Sequence, residues 1–142
     1  MKKFLILLLL VAVGAGLYAA LMTDSVSDMW LDNIKEHAAE HNPKKGDLWE
    51  AENQYQVGRY CQTLGNGARA MVIYQDIIEK FPETLPAQMA EFRLAQCYET
   101  IINYVTAKEK YLNCANNYPD FKDSEWAHKA QGRYNDIIAN RI

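Results

Sequence analysis

The first pattern along the chain is a long apolar run near the N-terminus. No residue from Phe4 to Met22 is charged, and most are Leu, Val or Ala. As a helix this run would extend over about 28 Å, close to the apolar thickness of a bilayer. We therefore expect a single transmembrane helix over residues 1–23 that anchors the chain. A cleaved signal peptide is the alternative, because Leu17-Tyr18-Ala19 is a weak candidate cleavage site.

The charges on either side of this run predict an orientation. Lys2 and Lys3 precede it, and Asp24, Asp28 and Asp32 follow it. Basic residues flanking a membrane helix stay on the cytoplasmic side. The expected location is therefore the bacterial inner membrane, with a cytoplasmic N-terminus and a periplasmic C-terminal domain.

Small residues recur every four positions within the apolar run, at Ala12, Gly16 and Ala20. Such a stripe lets a second membrane helix approach closely. We interpret these residues as a candidate helix contact, although Ala and Gly are also simply common in such segments.

A second pattern, from Asp24 to about His41, has apolar residues at helical spacing. They are Val26, Met29, Trp30, Ile34 and Ala38. Turn residues follow in Asn42-Pro43-Lys44-Lys45-Gly46. The pattern predicts an amphipathic juxtamembrane helix and a linker over residues 24–46.

This helix contains the motif H-x-x-E-H, at His37, Glu40 and His41. Inverted zinc peptidases use that spacing to place two imidazoles and a carboxylate on one helical face. A peptidase also needs a third ligand and a substrate cleft, for which the rest of the chain offers no candidate. We predict a solvated polar face and no metal site, with adventitious zinc or nickel binding by His37 and His41 as the weak alternative.

From residue 47 onward the chain repeats itself at an offset of 37 residues. Each copy has a small residue, a second small residue twelve positions later, then an aromatic residue and a proline. The matches are Gly58, Ala95 and Gly132; Ala70 and Ala107; Tyr74 and Tyr111; Phe81 and Tyr118; Pro82 and Pro119. Small residues permit close helix crossing, rings fill the adjacent space, and proline stops a helix. The pattern predicts helix, turn, helix.

These copies resemble the tetratricopeptide repeat family, over about residues 47–142. The matching positions are Val57-Gly58, Ala70, Tyr74 and Pro82, then Leu94-Ala95, Tyr98, Ala107, Tyr111 and Pro119. Cys61 departs from the pattern, since the second copy has Tyr98 there. The loops after each proline are three residues longer than usual, at 83–85 and 120–122, and look like those of bacterial cell-envelope repeat proteins.

The resemblance implies an all-α fold with two repeats. We expect their helices near 47–64, 68–81, 85–102 and 104–117. A last helix from about 124 to 138 would cover the open end of the second repeat as a cap.

In this family the first helix of each repeat lines a concave face that binds other proteins. Carried over to this chain, the partner-binding residues are Tyr55, Arg59, Met89, Phe92, Gln96, Trp126 and Arg133, with Glu52, Gln62, Glu99 and Lys129 on the same face. Tyr, Trp and Arg often dominate binding energy. The alternative is that helix 24–41 packs into this face and fills it.

Charge and cysteine content narrow the function. The formal net charge is −3, which argues against a nucleic-acid partner. The three cysteines match no zinc or redox spacing, so we interpret Cys61, Cys97 and Cys114 as buried small apolar residues. A Cys97–Cys114 disulfide is the alternative in an oxidising compartment.

The sequence therefore predicts a membrane-anchored periplasmic adaptor that binds proteins in envelope biogenesis or secretion. The alternative is a small accessory subunit of a larger inner-membrane complex, whether respiratory, photosynthetic or for transport. No catalytic constellation or cofactor motif is visible, so we predict neither enzymatic activity nor a cofactor.

Overall fold

The structure, a computed structural model, describes residues 2–21, 24–38, 40 and 43–140. Side chains are described in the first helix at Ile6 and residues 9–17, and in the third helix from Leu48 onward. Within these ranges every regular element is helical, which confirms the all-α class. The elements are α1 (Lys2–Leu21), α2 (Asp24–Ala38), α3 (Pro43–Thr63), α4 (Gly67–Lys80), α5 (Leu85–Thr100), α6 (Tyr104–Asn116), a 3-10 turn (Pro119–Phe121) and α7 (Glu125–Ala139).

The transmembrane helix in the expected fold is wrong. A spanning helix needs about 20 consecutive apolar residues. Over the residues that the structure describes, no helix combines the length and the apolar character needed to cross a membrane. Ala12 and Gly16 are exposed in α1, and a Cβ built at Gly16 has no heavy atom of another described part of the chain within 4 Å. The Ala20 side chain lies outside the described residues.

The starts of α4 to α7 are set by side-chain caps. Asn66, Thr84, Asn103 and Ser124 each accept a hydrogen bond from the backbone N–H three residues further on, at 3.1 to 3.3 Å. These bonds satisfy N–H groups that have no partner inside the helix. The four helices therefore begin within one residue of the predicted positions.

The third helix begins at Pro43, earlier than the predicted start near residue 47. Proline is favourable in the first turn of a helix because its fixed φ suits the helix and its missing N–H would have no partner there. Residues 43–46, expected as a linker, therefore belong to α3.

Helices α3 to α7 pack in chain order, and α3, α5 and α7 lie side by side. Tyr74 and Tyr111, at equivalent positions of α4 and α6, are fully buried. Each hydroxyl donates to the preceding helix: Tyr74 to Gln62 at 3.0 Å and Tyr111 to Glu99 at 2.8 Å. The two rings belong to two core clusters, which α5 shares: Tyr74 to the first and Tyr111 to the second.

Gly58 is where α3 and α4 approach most tightly among the described glycines. A Cβ on Gly58 would lie 2.6 Å from Cε1 of Tyr74. The repeat's small residue is thus required by the ring opposite it, as the sequence pattern predicted.

The array is covered at both ends. At the C-terminal end, α7 buries Ala127, Ala130 and Ile137, which confirms the predicted cap. At the other end, α2 buries Ser27 and Ile34 against the first repeat. We did not predict this second cap.

The three cysteines are free and buried, as predicted. Cys97 belongs to the first core cluster and Cys114 to the second, and no disulfide joins them. Burial raises the pKa of the Cys97 thiol to about 11 and that of the Cys114 thiol to about 12. Both thiols therefore remain protonated near neutral pH.

Candidate functional site

The candidate site is the groove formed by α3, α5 and α7. The contacts between neighbouring helices of the groove join residues that are 34 to 38 positions apart in the sequence. Arg93 Nε donates to the Tyr55 hydroxyl at 3.2 Å, the Phe92 and Trp126 ring centroids are 5.4 Å apart, and Arg133 pairs with Glu99. The structure thus brings Tyr55, Phe92, Trp126 and Arg133, predicted positions from all three helices, onto one face, whereas the described hydrogen bond of Arg59 is to Gln56.

Arg93 lies at the centre of this groove, and we did not predict it. Besides Tyr55, its Nη1 donates to Gln96 Oε1 at 3.1 Å, and its guanidinium carbon is 5.8 Å from the Trp126 ring centroid. The signal was present in the sequence, because Arg93 is four residues after Met89 and three before Gln96, the spacing of one helical face.

The aromatic part of the groove is formed by Phe92 and Trp126. Phe92 is buried and makes edge-to-face contacts with both Tyr111 and Trp126. Trp126 is half-buried and has Lys129 Nζ 4.7 Å from its ring centroid, a cation–π distance. The indole therefore keeps surface for a partner, whereas Phe92 holds it in place.

Burial separates the predicted residues into two groups. Tyr55 and Phe92 are buried and form the floor of the groove, with Tyr55 only 2% exposed. The predicted residues with surface left for a partner are Arg59, Met89, Gln96, Trp126 and Arg133.

The charged residues of the groove differ in whether they have a carboxylate partner. Arg133 pairs with Glu99 and, at 3.3 Å, with Asp136, and Lys129 pairs with Glu125 at 2.8 Å. Burial lowers the pKa of Arg133, but the hydrogen bond and charge of Glu99 outweigh it, so the pKa is raised overall. The contacts of Arg93 described above are to neutral groups. Among the described residues no carboxylate pairs with Arg93, so its charge at the centre of the groove is left uncompensated.

The first-end cap, α2, packs on a different side of α3. The Trp30 and Tyr60 rings are in tilted contact with their centroids 4.8 Å apart, Asn66 donates to Asp24 at 3.0 Å, and Arg69 pairs with Asp28. A cavity of about 280 Å³ between the two helices is lined by Trp30, Asn33, Ile34, Asn53, Gln56 and Val57. This position, beside α3 and next to the start of α4, is that of the second helix of a preceding repeat. The helix therefore does not fill the groove at Arg93 and Trp126.

The H-x-x-E-H motif is only partly described. His37 is exposed and its Nδ1 lies 3.4 Å from Glu40 Oε2, whereas His41 lies outside the described residues. In the part of the chain that the structure describes, no three His, Cys, Asp or Glu side chains are grouped so that they could hold a metal ion.

A helical-repeat array with an open groove is an architecture used for protein interaction. The family assignment is more specific, since the model of the tetratricopeptide repeat family matches residues 49–84 and 89–120. The first match runs from α3 to the Thr84 cap and the second from α5 to the loop after α6. Both segments are therefore similar to tetratricopeptide repeats. No curated protein and no solved structure matches the chain.

Proposed function

We propose that this array is a protein-binding adaptor whose groove receives a partner segment that brings a carboxylate to Arg93. The observation that carries the proposal is the environment of Arg93, a half-buried guanidinium surrounded by neutral groups. Two of its N–H donors are used, by Tyr55 and Gln96. An arginine has five, so donors are left for a ligand.

The physical chemistry of the site supports an acidic partner. A guanidinium binds a carboxylate through two parallel hydrogen bonds, which gives both strength and orientation. Partial burial strengthens such a bond because less water competes. The Trp126 indole, beside Arg93, offers apolar surface for the neighbouring part of the same segment.

The setting that we propose is the bacterial cell envelope, in biogenesis or secretion. It is supported by the resemblance of the lengthened loops at 83–85 and 120–122 to those of envelope repeat proteins. A reporter enzyme that is active only outside the cytoplasm, fused after the array, tests the location. Activity of the fusion is expected, and a fusion that is made at a normal level but is inactive would contradict the location.

A second candidate is a permanent accessory subunit of a larger complex. The observation that favours it is the exposure of the described apolar side chains of α1, among them Leu9, Leu10 and Leu17 at 63 to 66%. Such a surface is stable in water only when a partner or lipid covers it. The two candidate functions differ in how permanently the partner is bound, and both can use the same groove.

The test is gentle purification of the tagged full chain from its own cells, followed by native mass measurement. An adaptor is expected alone or with substoichiometric partners, whereas a permanent subunit comes with fixed partners in whole-number ratio.

The groove itself is tested by Arg93→Gln, which removes the charge and the forked donors. We expect recovery of the partner to fall at least tenfold, because truncating one member of a buried charged pair costs about 2 kcal/mol or more. Lys122→Glu, a charge reversal at an exposed position outside the groove, is the control and should bind normally. The proposal fails if Arg93→Gln keeps the wild-type melting temperature and still binds its partner normally.

A further inference from the structure

The two ends of the helical array have different chemistry. At one end are the turns within each repeat, residues 64–68 and 101–105, which we call the apolar end. No residue from 60 to 68 or from 100 to 107 is charged. At the other end are the loops that follow each repeat, which we call the charged end, with Lys80, Glu83, Asp120, Lys122 and Asp123. Surface turns in water are normally polar, so the apolar end needs a physical reason.

Three large apolar side chains project from the apolar end. Ile101 is 61% exposed, Ile102 73% and Val105 76%. The last two are the most exposed large apolar side chains in the described part of the chain. Because they are adjacent in one turn, they form a contiguous patch rather than scattered exposed residues.

The backbone at this patch is also unfavourable. Ile102 has φ 63°, and the equivalent residue of the first repeat is Gly65, with φ 86°. A β-branched residue rarely adopts this left-handed region, because its side chain collides with the backbone. Glycine would remove both the strain and the exposed apolar surface. The isoleucine is therefore unfavourable for a folded chain in water, and contact with an apolar phase would offset that.

Side chains of both turns cap the helices that follow them. The Asn66 and Asn103 side chains accept from the N–H groups of Arg69 and Thr106, so they cap α4 and α6. Unpaired backbone groups are costly in lipid. With these helix starts capped, the apolar end can leave water at lower cost.

The apolar end also lies next to the start of α2. The hydrogen bond of 3.0 Å from Asn66 to Asp24 fixes this position. Leu21, the last residue of α1, is three residues before Asp24 and so within about 11 Å of it. The chain therefore brings a helix with exposed apolar side chains to the same end of the array as the Ile102 patch.

We propose that the apolar end rests on the surface of a lipid bilayer. Ile101, Ile102 and Val105 enter the interfacial region, and Tyr104 lies at headgroup level, where an amphipathic ring is stable. The absence of charge in both turns indicates that zwitterionic lipid suffices and that the contact is insensitive to salt. A docking site for a protein would usually have charged residues at its rim, and neither turn contains one. The contact requires no spanning helix.

The test places a fluorescent probe at the patch in the full-length chain. The native cysteines are buried, so in the folded protein a maleimide form of the dye NBD should label a new cysteine at Val105→Cys selectively. The protein is combined with phosphatidylcholine vesicles that carry spin-labelled lipid. Lys122→Cys, labelled in the same way at the charged end, is the matched control, and Ile101→Cys is a second patch position should the first variant lose its wild-type melting temperature.

The proposal predicts a blue-shifted probe at the patch that spin-labelled lipid quenches at least twofold, while the probe at position 122 stays in water. Absence of quenching at both positions would overturn it, as would equal quenching at both. A blue shift at the patch without quenching by lipid would show contact with a protein, and would also overturn it.

Discussion

The two repeats share their helices, turns and central tyrosines, yet they differ at equivalent positions of the core. The first repeat has Ala51 and Gln54 where the second has Gln88 and Glu91. All four residues are buried, so the difference lies inside the packed array and not on its surface.

The second repeat uses its polar side chains to connect three elements. Gln88 Nε2 donates to the carbonyl oxygens of Cys114 at 2.9 Å and Phe121 at 3.2 Å, and its Oε1 accepts from the Ser124 hydroxyl at 2.7 Å. Ser124 is also the cap of α7. A single side chain therefore links α5 to α6 and to the start of the C-terminal cap.

The buried side chains at positions 54 and 91 differ in how fully their polar atoms are hydrogen-bonded. Glu91 is paired with Lys110 at 3.3 Å and accepts from Asn113 at 3.4 Å and from the Tyr118 hydroxyl at 3.5 Å. Gln54 donates to Glu50 at 2.8 Å, but its buried Oε1 accepts no hydrogen bond from any residue that the structure describes.

The comparison teaches that the repeat frame depends on a few shared residues, the small residue and the ring that crosses it. The other core positions are free to specialise. In the second repeat Gln88 bonds to Ser124 at the start of the C-terminal cap. In the first repeat no such bond is described from Ala51 or Gln54, and the N-terminal cap is held by the burial of Ile34 and by contacts such as that of Arg69 with Asp28.

The largest expected effect is that of Gln88→Ala, which gives the second repeat the side chain of Ala51. Two buried carbonyls and a hydroxyl lose their partner and a cavity remains, so we expect a loss of about 3 kcal/mol in the free energy of unfolding. Urea denaturation measures it. Gln131→Ala, on the exposed face of α7, is the control and should change stability by less than about 0.5 kcal/mol. An equally small effect of Gln88→Ala would show that the links to α6 and α7 carry no stability.

Substitution by leucine at the equivalent positions 91 and 54 should change the free energy of unfolding in different ways. Glu91→Leu leaves Lys110, which is mostly buried, without its partner, and we expect a loss of about 2 kcal/mol. Gln54→Leu removes an unsatisfied buried oxygen and should leave stability unchanged or raise it by up to about 1 kcal/mol. Calorimetry of both variants checks this, and shifts of the same sign and size would refute the difference between the repeats.

Alanine at the equivalent glycines 58 and 132 distinguishes the effect of helix packing from that of helix propensity. Gly58→Ala places a Cβ against the fully buried Tyr74 ring, whose hydroxyl is bonded to Gln62, so overpacking should destabilise by about 1–2 kcal/mol. Gly132→Ala, at the equivalent position of α7, meets no atom within 4 Å. There we expect the free energy of unfolding to rise by about 1 kcal/mol, because alanine has a higher helix propensity than glycine. Thermal unfolding of both variants measures these effects. A higher melting temperature for Gly58→Ala would contradict the close approach of Gly58 to the Tyr74 ring.

The smallest effect is expected at the turns. Ile102→Gly removes the strained left-handed isoleucine and should stabilise the soluble fold by about 1 kcal/mol, whereas Gly65→Ala introduces a side chain at φ 86° and should cost about 1 kcal/mol. Opposite shifts in the urea midpoint are the expected result. A destabilising Ile102→Gly would mean that the isoleucine contributes packing that outweighs its strain.

Much of the frame was predictable from the sequence. The offset of 37 residues predicted the helix pairs, and the small residue beside a ring predicted the crossing at Gly58 and Tyr74. These features depend on local spacing. The start of α3 was missed because Pro43 among turn residues suggests a linker as readily as a helix start.

Other features depend on contacts distant in sequence. The bonds of Gln88 are to main-chain carbonyls, which no side-chain pattern identifies. The role of α2 as a second cap depends on Asn66 and Arg69, some forty residues further along the chain. The expectation of a spanning helix rested on hydropathy alone, and the described residues of α1 do not support it. Arg93 was overlooked because the family pattern directed attention to its neighbours.

The most direct test of the central claim, that the groove binds a partner protein, is site-specific photocrosslinking in the cells that make this protein. A photoreactive amino acid is placed at Gln96, in the groove, and separately at Gln75, on α4 outside it. We predict a discrete crosslinked species from position 96 that disappears with Arg93→Gln, and none from position 75. Crosslinking from position 75 alone would contradict the account and place the binding surface on the opposite side of the array.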